Sequence, residues 1–403
     1  MSEQAAQAPG AGQTVLHVVT STQRRGAETF ALDLAQALAC RGLTSRVVAL
    51  APVRAGATHD LPVMGNNAFA PATLRALRRE ARGADVVVAH GSRTLPACAA
   101  ALAGARQPVA YRSIGDPAAW AGRGLRRVRT GVLLRRMAAV AVLWPGAGGS
   151  VRELHHVAAE RIHVIPNGVP AERCPVPDIG DRRAARRRLG LPPGTAVVAV
   201  IGALAPEKRV EDAIAAVGAL DGPHLLVVGE GRERRRLEQR ATAQAPGRVH
   251  FSGSLPGSRE ALAAADVVVM PSRTEGMPGV LIEAGLSGIA AVATDVGGVS
   301  EIVRDGETGL LVTPGDVSGL TGALRVALAE RARLGDAARR HCLATFEIGA
   351  VADRWLALLA GLGAGGRPSS DPAGDVTCQR SEASTTPGRD AYPCRDGGQR
   401  AEA

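Results

Sequence analysis

Short apolar runs rich in valine and isoleucine recur along the chain, and stretches with apolar residues at helical spacing separate them. In the first half the runs fall at 15–21, 45–50, 85–90, 108–113, 139–144 and 161–166. In the second half they fall at 196–202, 224–229, 249–253, 266–271, 290–295 and 309–312. Strands buried on both faces read as continuous apolar runs, and their alternation with helices builds parallel sheets. The predicted fold class is therefore α/β, with two similar open parallel sheets.

Between the halves, NGVPAERCPVPDIGD (167–181) carries several prolines and no clear period, and reads as an interdomain linker. This places a first Rossmann-like domain at 14–172 and a second at 173–345. The stretch FEIGAVADRWLALLAGL (346–362) has apolar residues at helical spacing and reads as a closing helix. Residues 1–13 and 363–403 have too little apolar content to pack and are expected to be disordered.

Composition narrows the function. Of 403 residues 46% are apolar, enough for large cores, but only 2% are aromatic, so the stacking platforms of single-stranded nucleic-acid binders are scarce. A formal charge of +10 favours anionic partners such as phosphates, nucleotides or an acidic membrane surface, without choosing among them. Lys208 is the only lysine; every other basic residue is arginine, so one compact ammonium stands at a single place. The six cysteines show no spacing for zinc or a small disulfide framework, which makes a reducing cytoplasm the default. The N-terminus lacks a basic region followed by an apolar core, and no apolar run approaches the ~20 residues a bilayer requires. The expected location is cytoplasmic.

The densest candidate chemistry is PSRTEGMPGVLIEAGLSG (271–288), which places Glu275 on the loop after a strand and Glu283 inside the next helix, with Pro278 opening that helix as its first residue. Its N-terminus suits a phosphate, and the two carboxylates can accept bonds from sugar or ribose hydroxyls. A solvated helix start would carry the same two glutamates. Lys208 lies on the loop after the first strand of the second domain, where open α/β sheets bind ligands. In the first domain, Gly26 stands before a helix and lets a phosphate approach the backbone. His90 ends a strand and is expected to face the interdomain cleft, placed to bond a substrate hydroxyl or exchange a proton near neutral pH. A histidine tied to nearby backbone fits that position equally well.

Taken together, EGMPGVLIEAG, the preceding AADVVVMPSRTEG, VATDVGGVSEIVRDGETGLLV (292–312), GALAPEK (202–208), VIPNGV (164–169) and RRGAE (24–28) resemble the retaining glycosyltransferases of group 4. The resemblance covers roughly residues 14–360. It implies the GT-B architecture, two facing Rossmann-like domains with the active site in the cleft and the closing helix returning toward the first domain. It also implies transfer of a sugar from a nucleoside-diphosphate sugar, UDP- or GDP-linked, to a hydroxyl acceptor, with the anomeric configuration kept.

By the same resemblance, Lys208 binds the donor diphosphate, Glu275 holds donor-sugar hydroxyls and Glu283 holds the ribose. Backbone groups of the loop from Gly276 through Met277 to Gly279 approach sugar and phosphate, Gly26 lies by the phosphates, and His90 contacts the transferred sugar. Ser252, Gly253 and Ser254 lie near the nucleobase. The chain departs from the family at three places. Ala203 stands five positions before Lys208, where the family has Arg, and Arg209 is the candidate to compensate. The usual paired glycines of the first loop appear as Arg25-Gly26, and Pro278 removes one backbone donor from the carboxylate loop.

The pieces suit electrostatic stabilisation of a departing diphosphate, with no cofactor beyond the nucleotide-sugar co-substrate. No Asp-x-Asp occurs, and no metal is expected. Within 121–140, six arginines stand without an acid, a segment that could rest on anionic lipid and reach a lipid-linked acceptor, or simply form a solvated helix face. Competing readings are a nucleotide-sugar-binding protein without turnover and, more weakly, a dinucleotide-dependent oxidoreductase, which lacks GxGxxG after either opening strand. Duplex DNA binding would rest on charge alone.

Overall fold

The computed structural model describes residues 12–53, 57–117 and 124–363. The strands β1 (Thr14–Ser21), β2 (Thr44–Ala51), β3 (Val86–His90), β4 (Val109–Arg112), β5 (Ala139–Val142) and β6 (Ile162–Val164) form one sheet in the order β2-β1-β3-β4-β5-β6. The strands β7 (Val197–Ile201), β8 (His224–Val228), β9 (Val249–Gly253), β10 (Val267–Met270), β11 (Ala290–Thr294) and β12 (Gly309–Val312) form the other, in the order β12-β11-β10-β7-β8-β9. Every pairing is parallel. The α/β class with two Rossmann-like sheets is as the apolar runs predict.

Chain order reverses between β1 and β3 in the first sheet and between β7 and β10 in the second. Helices leaving two such strands depart to opposite faces, so a crevice opens beyond their carboxyl ends. The loop before α1 (Gly26–Ala39) and the end of β3 meet at the first crevice. The loops before α7 (Val210–Gly218) and α10 (Gly279–Leu286) meet at the second.

The remaining helices cover the sheets. They are α2 (Pro71–Ala81), α3 (Thr94–Ala101), α4 (Leu125–Arg135), α5 (Pro145–His155), α6 (Ile179–Arg188), α8 (Arg234–Gln244), α9 (Arg259–Ala264), α11 (Val299–Ile302), α12 (Val317–Ala329), α13 (Arg331–Phe346) and α14 (Ile348–Gly363). In α1, Phe30, Ala31, Leu34, Ala35 and Leu38 recur three to four residues apart and are all buried. Against this face packs α14, whose Trp355 is 0% exposed among Val15, Phe30 and Leu34. The chain's last described helix thus covers the first domain.

Two boundaries differ from the sequence reading. The apolar stretch from 346 is broken at Glu347, where a parallel bridge to Val169 holds the backbone extended (ψ 137°) between α13 and α14. Gln13, assigned to a disordered N-terminus, is buried because its Nε2 donates to the Leu359 carbonyl at 3.1 Å. Residues 1–11 and 364–403, for which disorder is expected, lie outside the described residues, as do 121–123 of the basic stretch.

Candidate functional site

At the second crevice, two loops from different strands are stitched together. The Arg273 N–H donates to the Glu207 carbonyl at 2.8 Å, and Lys208 Nζ donates to Glu275 Oε1 at 2.6 Å. The pair is charge-assisted and largely shielded, with the lysine side chain 29% exposed and the carboxylate 10%. Gly202, Ala203 and Val280 line the narrow slot beside it. Ala203 offers no charge there, so Lys208 is the cation of this slot.

Helix α10 starts at Gly279, with Pro278 as the preceding cap residue (φ −73°, ψ 116°) and not as its first residue. The extended ψ at Pro278 turns the chain into the helix, which presents its N-terminal N–H groups beside Glu275. The helix is buried through Leu281, Ile282, Ala284 and Leu286. Glu283 is its only charged residue, and a carboxylate in such surroundings requires partners. Burial raises its pKa, against a hydrogen bond from the Ser258 side chain and the nearby charge of Arg173. Glu283 therefore lies toward the linker and the loop after β9, apart from the Lys208–Glu275 pair.

The carboxylate loop also meets the first domain. A Cβ at Gly276 would lie 2.6 Å from the Ile114 carbonyl oxygen, and one at Gly297 2.1 Å from the Glu275 carbonyl oxygen, where φ is already +59°. Only glycine fits either place. The Gly298 N–H donates to the Gly276 carbonyl at 2.7 Å, and the Trp144 ring packs on Gly298. Gly276→Ala is expected to push the domains apart by at least the missing contact distance and to cost about 1–3 kcal/mol. A melting curve and small-angle scattering of the variant check this, and an unchanged profile in both would refute it.

Two residues that the sequence reading did not single out, Arg112 and Asn167, join the domains. Arg112, at the end of β4, is 1% exposed, stacks on Phe30 at 3.7 Å and donates to Asn167 Oδ1. Asn167 Nδ2 donates to the Met277 carbonyl at 2.6 Å, and its backbone N–H approaches Met277 Sδ at 3.2 Å. First domain, linker and carboxylate loop are thereby one connected chain of contacts. Burial lowers the Arg112 guanidinium to about 9, opposed by Tyr111 and by Glu28. A charged residue ending an otherwise apolar strand, and Asn167 inside VIPNGV, were the available signals.

The other expected residues divide. Gly26 is the first residue of α1, at the first crevice, with open space around its Cα. Met277 is buried, and Gly279 opens α10. Ser252 and Gly253 end β9, with Ser252 Oγ donating to the Gly253 carbonyl at 3.1 Å and Ser254 following. Arg209 does not stand in for the missing arginine. Its Nε and Nη2 donate to the buried Asp212 at 2.5 and 2.9 Å from a left-handed backbone (φ +47°), so its charge is already neutralised.

His90 does not face the cleft as expected. It is 1% exposed, its ring set among His17, Phe30 and Trp355, and its Nε2 lies 3.1 Å from His17 Nδ1. Burial first, then the nearby His17 and Arg112, hold its pKa well below the ordinary histidine value. A ring kept neutral in this way does not exchange protons near pH 7. Closing helix α14 is the reason, since Trp355 covers that side of the sheet. Among the described residues no group of three or more His, Cys, Asp or Glu is arranged to hold a metal ion.

Comparison with known proteins matches these elements in order. Residues 24–173 match the model of Glycosyltransferase Family 4, and residues 195–330 that of Glycosyl transferases group 1. A lipopolysaccharide core biosynthesis glycosyltransferase of Rhizobium meliloti is 35% identical over 179 residues, 43% of this chain and 53% of that protein. A D-inositol 3-phosphate glycosyltransferase of Nocardia farcinica is 37% identical over 196 residues, 45% of this chain and 43% of that protein. The matched stretches thus span about half the length of these curated relatives. The crystal structure of Anabaena HepE in complex with UDP-glucose superposes over 87% of this chain and all of that one, with TM-score 0.76 and 22% identity, a likeness of fold. With both family models matched in sequence order, one on each Rossmann-like domain, the chain belongs to the group 1 and family 4 glycosyltransferases of the GT-B fold.

Proposed function

We propose that this chain is a retaining, metal-independent glycosyltransferase that moves a sugar from a UDP- or GDP-linked donor to a hydroxyl of a glycan or lipid-linked acceptor. The observation that carries this reading is the Lys208–Glu275 pair, held at 2.6 Å at the switch point of the second sheet beside the N-terminus of α10. A diphosphate entering there exchanges the Glu275 carboxylate for its own oxygens on Lys208 and meets the helix N–H groups. Glu275, released, accepts bonds from the donor sugar, while Glu283, Ser252, Gly253 and Ser254 are assigned to the ribose and base side.

The reaction proceeds by stabilising the charge that develops as the diphosphate leaves. The acceptor hydroxyl attacks from the side the phosphate leaves, and the leaving oxygen takes its proton. The names of the curated relatives, one of lipopolysaccharide core synthesis and one acting with inositol phosphate, support a glycan or phosphorylated acceptor. UDP-glucose in the Anabaena structure supports a nucleotide-sugar donor.

Helix α4 is the proposed membrane contact. Leu125, Val128 and Val132 are 88%, 61% and 38% exposed at helical spacing, between exposed Arg126, Arg127 and Arg129. Among the described residues no helix is long and apolar enough to cross a membrane. Co-flotation with phosphatidylglycerol vesicles is expected, and Leu125→Asp with Val128→Asp is expected to abolish it; flotation unaffected by the pair removes this contact.

The function is tested by thermal stabilisation with UDP, GDP, ADP, NAD and a short DNA duplex. A ligand that binds only the native state raises the melting point by mass action. A shift with one nucleoside diphosphate, absent in Lys208→Ala, is the expected result and names the donor base. A shift with NAD or DNA alone would overturn the reading, and no shift with any diphosphate favours a degenerate fold or another function.

A further inference from the structure

The amino-terminal edge of the second sheet, opposite the carboxyl edge that carries Lys208 and Glu275, holds a second cavity of about 820 Å³. Its floor comes from the residues just before the strands: Asp266 before β10 and Ile289 before β11. Leu191, Pro193 and the 70% exposed Ile179 add apolar wall. Over this floor stand Arg182, Arg183, Arg186, Arg187 and Arg331, five guanidiniums to the one carboxylate of Asp266.

That carboxylate is already spent on one side. Its Oδ2 accepts from Arg186 Nη2 and from the Val197 N–H, each at 2.8 Å. Its Oδ1 lies 3.8 Å from Arg182 and 3.9 Å from Arg331, beyond hydrogen-bond distance from either. Arg183 and Arg187, one turn apart on α6, are exposed and pair with no carboxylate among the described residues. Burial holds the Arg182 guanidinium below its ordinary value; Asp266 opposes this, and the like charges of Arg186 and Arg331 add to it.

We infer that this cavity is a second anion site, distinct from the donor cleft, that takes the phosphate or diphosphate of a small phosphorylated molecule beside an apolar wall. The cavity volume falls in the range of small-molecule sites. Arginine forks match phosphate oxygens two at a time, and a bound dianion relieves the repulsion that Asp266 leaves uncompensated. Arg182 and Arg186 are fixed in advance: Arg182 Nη1 donates to the Ala265 carbonyl at 2.8 Å, and Arg186 Nε to the Ala264 carbonyl at 3.0 Å. Arg183 and Arg187 close the rim. The shared chemistry is a phosphate group, whether free in solution or on a lipid headgroup.

Calorimetric titration of the full chain with sodium pyrophosphate tests the inference, in wild type, in Lys208→Ala and in the double variant Arg183→Ala/Arg187→Ala. Both arginines are exposed, so the double variant is expected to melt with the wild type. Lys208→Ala should retain pyrophosphate binding, and the arginine pair should weaken that retained site at least tenfold. Flotation with phosphatidylcholine vesicles, with and without phosphatidylglycerol, in chains that also carry Leu125→Asp and Val128→Asp to remove the α4 contact, separates the sources. Anionic capture lost in the arginine pair assigns the headgroup, and a pyrophosphate site without such capture assigns the free molecule. If neither pyrophosphate affinity nor anionic capture responds to the arginine pair, or Lys208→Ala binds no pyrophosphate and is captured equally by both vesicles, the site does not exist.

Discussion

Replacing Lys208 by alanine is expected to weaken nucleoside-diphosphate binding about a hundredfold, because a charge-assisted hydrogen bond to a diphosphate in a shielded slot contributes roughly 1.5–3 kcal/mol and leaves an unpaired anion when lost. The same change leaves Glu275, 10% exposed, without its cation. No second cation takes over: Ala203 is neutral, and Arg209 is held by Asp212. Glu275→Ala is expected to separate the two roles. It frees Lys208 for the diphosphate, so the bare nucleotide binds as well as before or better, while turnover falls by two orders of magnitude or so. Titration of the nucleotide and steady-state kinetics on both variants check the pair. Equal losses of binding and turnover in Glu275→Ala would move that carboxylate to the nucleotide, and wild-type nucleotide affinity in Lys208→Ala would remove the lysine from the donor site.

Acidification from pH 7.5 to pH 5 is expected to lower the stability of the fold sharply, through the buried pair His17–His90. Burial lowers His17 from 6.5 to about 3, and lowers His90 well below 6.5. A histidine whose folded pKa lies below its unfolded value binds fewer protons when folded. Its contribution is therefore complete above the unfolded pKa and is lost as pH falls through it, at about 1.4 kcal/mol per unit. For His17 this reaches about 2 kcal/mol at pH 5, and His90 acts in the same direction. The buried carboxylates run the other way. Burial raises the pKa of Asp33, Glu28 and Glu283, so protonation returns stability as pH falls through their range. The histidine loss begins near pH 6.5, and protonation of these carboxylates offsets part of it. Melting temperatures at half-unit steps test the net fall; a curve that stays flat between pH 7.5 and 5 would refute it.

Much of the fold was legible in the chain, because a strand covered on both faces must be apolar along its whole length. The runs predicted at 249–253 and 309–312 coincide with β9 and β12, and the others differ from the observed strands by a residue or two at either end. The site was legible in part. Lys208 stood out as the only lysine, and Glu275 and Glu283 by their place after an apolar strand, but sequence spacing treats the two carboxylates as a pair. In the folded chain, Glu275 joins a lysine 67 positions away, whereas Glu283 turns toward Ser258 and the linker.

Local pattern thus determined which segments become strands and helices, and which loops stand at their carboxyl ends, since those features depend on neighbours a few positions apart. What lies in the crevices was decided only by the tertiary structure. The burial of His90 depends on Trp355, which α14 brings back across the first sheet, and the neutralisation of Arg209 depends on the left-handed turn that aims it at Asp212. The chain of contacts from Arg112 through Asn167 to Met277 joins residues from three parts of the sequence, and nothing local to any of them records that they meet. Charge and shape at such places are set by residues far apart in the chain, and no periodicity records which of them will meet.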